Sequence, residues 1–440
     1  MDNLLSTPVA VIGAGLAGSE AALVLASRGV PVTLYEMRPH TTTPAHRTDL
    51  PAELICSNSL KAKNLPVAHA LLKEELRLLG SPLLDAAEQT AVPAGGALAV
   101  DRERFAHAVL QKLEQHSVTI VRQEIEAPSP GTPTIIAAGP LVSESLTGWL
   151  RERFSAAMLS FYDAIAPVVA ADSIDMTKAF LAARREPDSS DYCNCPFTQE
   201  EYGRFYSALI EADTARKREF EEQRFFEACL PVEVIASRGE KSLAFGPLRP
   251  VGLIDPRTGK RPWAVCQLRK ENSEGTSFGL VGFQTRLTIP EQKRVFRMIP
   301  GLENAEFLRF GSIHRNTYIN APTLLNPTLD FKDDPMLFCA GQLCGNEGYT
   351  ESITTGHLAA LFMIAKLTNR ELPPPPRTTA CGSLLYHITH CDKKDFTPVN
   401  VNYGILPDLP REGKKKIPKK EKRMTICKRA LEDLKEWIVS

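Results

Sequence analysis

Near the amino end, Gly13-Ala14-Gly15-Leu16-Ala17-Gly18 places glycines at the spacing that lets a main chain cradle a pyrophosphate. In that pattern Gly13 permits a tight turn, Gly15 lets the backbone approach phosphate, and Gly18 allows a helix to pack closely on a strand. Glu36 ends the next β-branched run, where its carboxylate can take ribose hydroxyls. The fingerprint alone does not separate FAD from NAD. The other reactive groups are thiols. Ten cysteines in 440 residues are too sparse for a disulfide scaffold, so in a reducing compartment each serves packing or chemistry. Cys193-Asn194-Cys195 lacks the second pair that a zinc site needs, and no metal is expected.

The elements that must position these groups follow from apolar runs and their stops. Val9, Val11 and Ile12 read as a strand, an Ala-rich helix runs to Arg28, and Gly29 ends it. Pro31-Val32-Thr33-Leu34-Tyr35 is a second strand, completing a βαβ unit whose helix N-terminus offers free N–H groups and positive dipole to phosphate. Thr134 to Gly139 and Met336 to Gly341 read as buried strands ending in glycine, and ligands sit at such carboxyl ends. Gly139 and Gly341 are therefore expected at the cofactor. Gly348, Tyr349 and Glu351 open a later helix whose N–H groups can point at a flavin carbonyl or at phosphate.

Three such strands so far apart indicate an α/β fold: an FAD-binding, Rossmann-like parallel sheet of the glutathione-reductase type, interrupted by an inserted α/β domain. The expected division is 1–150 and 301–380 for the nucleotide domain, 151–300 for the insertion, and 381–440 for a basic helical segment after the prolines 373–376. Lys+Arg and Asp+Glu are equal at 52 each, so no whole-chain charge favours nucleic acid or a membrane surface, and any RNA site must be local. Lys414 to Arg423 supplies one cluster, in which Lys415, Lys416, Lys419 and Lys420 are candidate phosphate contacts; a solvated face is the alternative. No apolar run reaches a membrane span, and Met1-Asp2-Asn3 lacks a basic signal-peptide start, so a cytoplasmic protein is expected.

Longer motifs narrow the function. Pro51-Ala52-Glu53-Leu54-Ile55-Cys56-Ser57-Asn58-Ser59-Leu60, Asn194-Cys195-Pro196 and Phe225-Phe226-Glu227-Ala228-Cys229-Leu230-Pro231-Val232-Glu233 resemble the folate- and FAD-dependent tRNA uracil-C5 methyltransferases, the TrmFO family. The resemblance runs nearly end to end. It includes Glu36-Met37-Arg38-Pro39, Pro93 to Arg102, Gly246 to Leu253 and His314-Arg315-Asn316-Thr317-Tyr318, and Arg38 joins the cofactor-binding candidates through it. Phe197 and the Cys344 and Asn346 positions depart from the family pattern without removing a group the chemistry needs.

The resemblance implies methyl transfer from methylenetetrahydrofolate to C5 of the T-loop uridine of tRNA, with reduced FAD as hydride donor and NADH or NADPH as reductant. Uracil C5 becomes nucleophilic once a thiolate adds to C6, and a second group must then remove the C5 proton. Cys229 matches the family cysteine that adds to C6, and Cys56 the one assigned as base and flavin-site organiser. His314 matches the histidine that stacks on the folate pterin. Cys195 matches a third family cysteine with no evident chemical task. Competing readings are the longer wobble-uridine flavoproteins that work with a GTPase, an NAD(P)H-dependent FAD reductase without RNA substrate, a non-enzymatic tRNA-binding protein, and the same methylation on ribosomal RNA. No obligate protein partner is expected.

Overall fold

The computed structural model describes residues 7–43, 45–154, 158–184, 190–215, 230–392, 396–410 and 417–439, with backbone alone at 158–164 and 313–315. The nucleotide unit is a six-stranded sheet in the order Asp330–Phe331, Asp334–Cys339, Thr134–Ile136, Val9–Ile12, Val32–Glu36, Thr119–Arg122. All neighbours are parallel except the outermost pair, Asp330–Phe331 on Asp334–Cys339. Both faces are covered, so Val9, Val11, Ile135 and Ile136 are buried and these strands read as continuous apolar runs.

Helix Leu16–Ala26 is buried almost all round, which its Ala-rich sequence permits. A Cβ on Gly18 would fall 1.8 Å from the Gly13 carbonyl oxygen, and one on Gly356 would fall 2.2 Å from that of Ala17. Glycine at both places lets helices Leu16–Ala26 and Tyr349–Leu367 approach each other and the phosphate turn. Their interface also buries a hydrogen bond, His357 Nδ1 to Glu20 Oε1 at 2.7 Å, while Glu20 Oε2 accepts the Leu83 N–H at 3.0 Å.

The inserted unit has its own antiparallel sheet, ordered Phe180–Leu181, Tyr192–Phe197, Ala264–Lys270, Ser277–Leu280, Val168–Ala170, Phe307–Arg309. Helix Gln199–Glu211, started by a Thr198/Glu201 capping box, covers it over a core with Phe197, Phe205, Phe283 and Phe296. Strands Met158–Ala164 and Ile313–Ile319 pair antiparallel as the way in and the way back. Because Phe307–Arg309 pairs with Val168–Ala170, the insertion extends past the expected boundary at 300, to about 310.

The carboxyl-terminal part is no separate segment. Leu384, Ile388, Ile426, Leu434 and Trp437 belong to the same core as the nucleotide sheet. Glu75 accepts the N–H groups of Ala380 at 2.6 Å and Cys381 at 2.8 Å, capping helix Ala380–His390, and Trp437 Nε1 donates to the Pro373 carbonyl at 2.9 Å. The proline run thus passes beneath helix Lys419–Val439 instead of ending the domain.

Candidate cofactor and catalytic site

A cleft of about 1750 Å³, its open mouth included, lies at the carboxyl ends of the parallel strands. Gly13, Gly15, Leu16, Ala17, Gly139 and Gly341 line it. Gly13 has φ +101°, and a Cβ there would meet the Ala137 carbonyl oxygen at 2.7 Å, so both conformation and space require glycine. Gly15 differs: a Cβ would meet no protein atom within 4 Å. Protein packing does not demand glycine at that point, whereas close approach of a pyrophosphate does. Ala14 and Gly18 support the turn from behind, Ala14 through its N–H to Glu36 Oε2 at 3.1 Å.

At one end of the cleft Glu36 and Arg38 form a buried pair. Arg38 Nε donates to Glu36 Oε1 at 2.8 Å, Nη2 to Oε2 at 3.1 Å, and the Arg38 backbone N–H to Oε1 at 3.0 Å. Burial pushes the Glu36 carboxyl up, but Arg38 and the Ala14 N–H outweigh it and hold it below the usual range. With four donors already on Glu36, a ribose hydroxyl must displace one. Arg38 has other partners ready, Glu53 Oε2 at 2.8 Å and the Thr48 carbonyl at 3.0 Å.

The other end gathers Cys56, Ser57, Lys61, Gln284, Asn316, Gly348 and Tyr349. The Tyr349 hydroxyl accepts the N–H groups of Cys56 at 2.8 Å and Ser57 at 3.1 Å, and burial with Cys56 nearby pushes its ionisation up. Two guanidinium groups clasp the carbonyls of the same loop. Arg102 donates to Leu54 and, at 3.2 Å, to Cys56; Arg309 donates to Ile55 and Cys56, each at 3.2 Å. Glu271, from the inserted unit, holds Arg102 Nε at 2.5 Å. Burial, and then Arg102, lowers Arg309 to about 10. Asn58 adds a second tie to the insertion, donating to the Lys270 carbonyl at 2.8 Å and accepting from Arg269 Nε at 2.7 Å. The partly exposed Cys56 is therefore fixed by both units.

Of the cleft residues given no role from sequence, Asn316, Lys61 and Gln284 bear most on ligand binding. Asn316 lines the cleft with its Oδ1 buried and without a partner among the described residues, the state of a group that a ligand satisfies. Lys61 adopts φ +66°, uncommon for a side-chain-bearing residue, and brings its ammonium beside Gly348. Gln284 comes from the inserted unit. The Asn316 motif was visible, but the directions of Lys61 and Gln284 come from contacts that no local pattern encodes.

Glu351 was expected at the cofactor through the N–H groups of its helix start, and its carboxylate serves the packing behind that start. Its carboxylate lies behind the helix start and off the cleft wall, 3.3 Å from His69 Nδ1 and accepting the Val401 N–H at 3.0 Å. Burial works to raise it, yet Lys61 and His69 hold it at about 2. Cys229, Lys415 and Lys416 lie outside the described residues, as does the His314 side chain, whose backbone pairs with Asp163. The chain resumes at Leu230, and the Val232 N–H donates to the Gln284 carbonyl on the cleft wall at 2.7 Å. Lys419 and Lys420 are exposed on the first turn of the last helix, while Lys422 pairs with Asp408 at 2.6 Å. Cys195 is fully buried, and neighbouring Cys193 together with burial pushes its thiol up, as for a packing residue. Among the described residues no group of three or more His, Cys, Asp or Glu could hold a metal ion.

Fold and site define a dinucleotide-binding α/β protein with an inserted antiparallel domain and a thiol at the inner end of its cleft. The family model described as glucose inhibited division protein A matches residues 8–371. Among solved structures, GidA of Aquifex aeolicus in its form II crystal superposes with TM-score 0.69 at 16% identity, over 99% of this chain and 74% of that one, a likeness of fold. The methylenetetrahydrofolate–tRNA-(uracil-5-)-methyltransferase TrmFO of Geobacter sulfurreducens is 53% identical over 98% of this chain and 99% of its own. The enzyme of the same name from Bacillus pumilus is 51% identical over 98% of each. The chain belongs to the glucose inhibited division protein A family and, within it, to the TrmFO family.

Proposed function

We propose that this chain is a methylenetetrahydrofolate–tRNA-(uracil-5-)-methyltransferase that forms 5-methyluridine at the T-loop uridine, with FAD in the cleft. The observation that carries the proposal is full-length similarity, 53% identity over 98% of the chain, to an enzyme named for that reaction. The cleft fits the cofactor: the open space over Gly15 suits a pyrophosphate, and the orphaned Asn316 Oδ1 suits a ring N–H. When bound, reduced FAD supplies the hydride that turns the transferred carbon into a methyl group, and NADH or NADPH replenishes it.

The chain's own groups do the rest. The Cys229 thiolate adds to uracil C6, giving C5 the electron pair with which it attacks the methylene carbon of the folate. Cys56 takes the C5 proton as the folate nitrogen leaves with the C–N electron pair, producing an exocyclic methylene. Hydride addition to that carbon restores the C5–C6 double bond and expels Cys229. Tyr349, Arg102 and Arg309 hold the Cys56 loop by its backbone, so the thiol meets substrate from a fixed position. His314 stacks on the pterin, and Gly13, Gly15, Gly139, Gly341 and Gly348 form the cofactor wall.

Lys419 and Lys420 are exposed at a helix N-terminus, where they gain nothing from its dipole, which supports contact with tRNA phosphate over a solvated face. The cytoplasm, where tRNA and folate meet, is the proposed location; among the described residues no helix is long and apolar enough to cross a membrane. The test is incubation of purified protein with tRNA, isotopically labelled methylenetetrahydrofolate and each nicotinamide. Labelled 5-methyluridine in the T-loop is expected, and flavin oxidation with no labelled nucleoside would refute the proposal in favour of a plain reductase.

A further inference from the structure

Between Lys241 and Trp263 the inserted unit carries five Lys or Arg against one carboxylate, in a chain whose net charge is zero. That carboxylate, Asp255, is taken by Arg257 through bonds of 3.0 and 2.7 Å. Arg249, Lys260 and Arg261 are exposed and make no ion pair among the described residues. Apolar side chains interleave with them: Phe245 is 79% exposed, Ile254 59%, Val251 55% and Trp263 41%. Their outward direction is built in. Leu248 and Leu253 are buried, Leu253 against Val265, and the Val265 N–H donates to the Leu248 carbonyl at 2.8 Å, so the segment is pinned from beneath.

The segment also adjoins the cleft. A Cβ on Gly282 would fall 2.6 Å from the Pro247 Cβ, and Gln284, two residues on, lines the cleft and holds the Val232 N–H. Exposed aromatic rings among unpaired cations are what an unstacked RNA strand needs, a face for bases and charges for phosphates. A protein interface core is instead depleted of charge.

We infer that the Phe245–Trp263 face binds the single-stranded part of the RNA substrate, stacking a base on Phe245 or Trp263 and phosphates on Arg249, Lys260 and Arg261. This rests on the proposed RNA methyltransferase activity and adds the surface that presents the RNA. A uracil whose C5 and C6 must be reached has to leave its stack, and the displaced strand needs an alternative platform beside the cleft.

Two variants test it: Phe245→Ala alone, and Arg249→Gln with Lys260→Gln and Arg261→Gln. Affinity for unmodified tRNA is measured across a salt series, alongside flavin content and sedimentation. The triple variant should lose about 2–3 units of log–log salt slope, at about 0.7–0.9 per phosphate contact. Phe245→Ala should weaken binding roughly tenfold with little change of slope. Flavin content should match the unaltered protein in both. Unchanged affinity and slope in both variants, beside an unaltered protein that binds tRNA, would overturn this face and leave the methyltransferase proposal standing. No binding by the unaltered protein would overturn both. Altered self-association with unchanged tRNA affinity would make the patch a protein contact and overturn the inference.

Discussion

Glu271→Gln perturbs the clasp on the Cys56 loop without touching the cleft wall. Glu271 and Arg102 have side-chain exposures of 8% and 21%, and the carboxylate also faces Arg269 and Arg309. Breaking a buried pair by removing one charge costs about 3–5 kcal/mol. Arg102 keeps some water and glutamine keeps an acceptor oxygen, so about 2 kcal/mol is expected here. The loss should be local first, because Arg102 and Arg309, which disfavour each other, then share the carbonyls of residues 54–56 without the Glu271 carboxylate. The assay is urea unfolding followed by flavin fluorescence and by circular dichroism, with alkylation of Cys56 mapped by mass spectrometry. The flavin transition should move to lower urea and Cys56 should alkylate several-fold faster. An unchanged midpoint with unchanged Cys56 alkylation would refute the claim that Glu271 positions this loop.

Gly15→Val should strip FAD, because the branched side chain occupies the space over the phosphate turn; the flavin absorbance of the purified variant checks it. Cys229→Ala should abolish both methyl transfer and the covalent adduct with 5-fluorouridine RNA, whereas Cys56→Ala should lose turnover and keep the adduct; the opposite pattern on a denaturing gel would exchange the two roles. Glu75 sits at about 7 because burial outweighs its two backbone N–H bonds. As an acid raised in the folded state, it binds its proton more tightly when folded, so its contribution to stability is lost as pH rises from 4.5 through about 7, up to about 3 kcal/mol. Glu75→Gln should flatten that slope, and parallel slopes of melting temperature against pH for the two proteins would sink the assignment. Changing Lys415, Lys416, Lys419 and Lys420 to glutamine should weaken tRNA binding and its salt dependence, with FAD content intact.

The phosphate turn was legible because its glycine spacing is local, although its constraints are not all so: Gly18 answers to Gly13 within the βαβ unit, Gly13 answers to Ala137 at the end of a distant strand, and Gly15 answers to no protein atom. The strands ending at Gly139 and Gly341 declare themselves by apolar runs. The Cys56 loop was legible as a motif, but its clasp was not. Arg102, Glu271 and Arg309 meet there from distant parts of the chain, and nothing beside any one of them specifies the others. The insertion boundary failed for the same reason, since Phe307–Arg309 is a strand only because Val168–Ala170 pairs with it. The helix start at Glu351 was legible from its glycines, but His69 and the Val401 N–H, which decide where its carboxylate points, were not. The last helix showed its apolar stripe at Leu431, Leu434 and Trp437, but the stripe did not reveal that it docks on the nucleotide unit.

The most direct measurement is nucleoside mass spectrometry of tRNA and ribosomal RNA from cells lacking this gene, beside cells in which it is restored. Loss of 5-methyluridine from the T-loop, with ribosomal RNA unchanged and the nucleoside regained on restoration, is the predicted result. Full T-loop 5-methyluridine in the deletion, with the loss found at a ribosomal or anticodon uridine instead, would contradict the account.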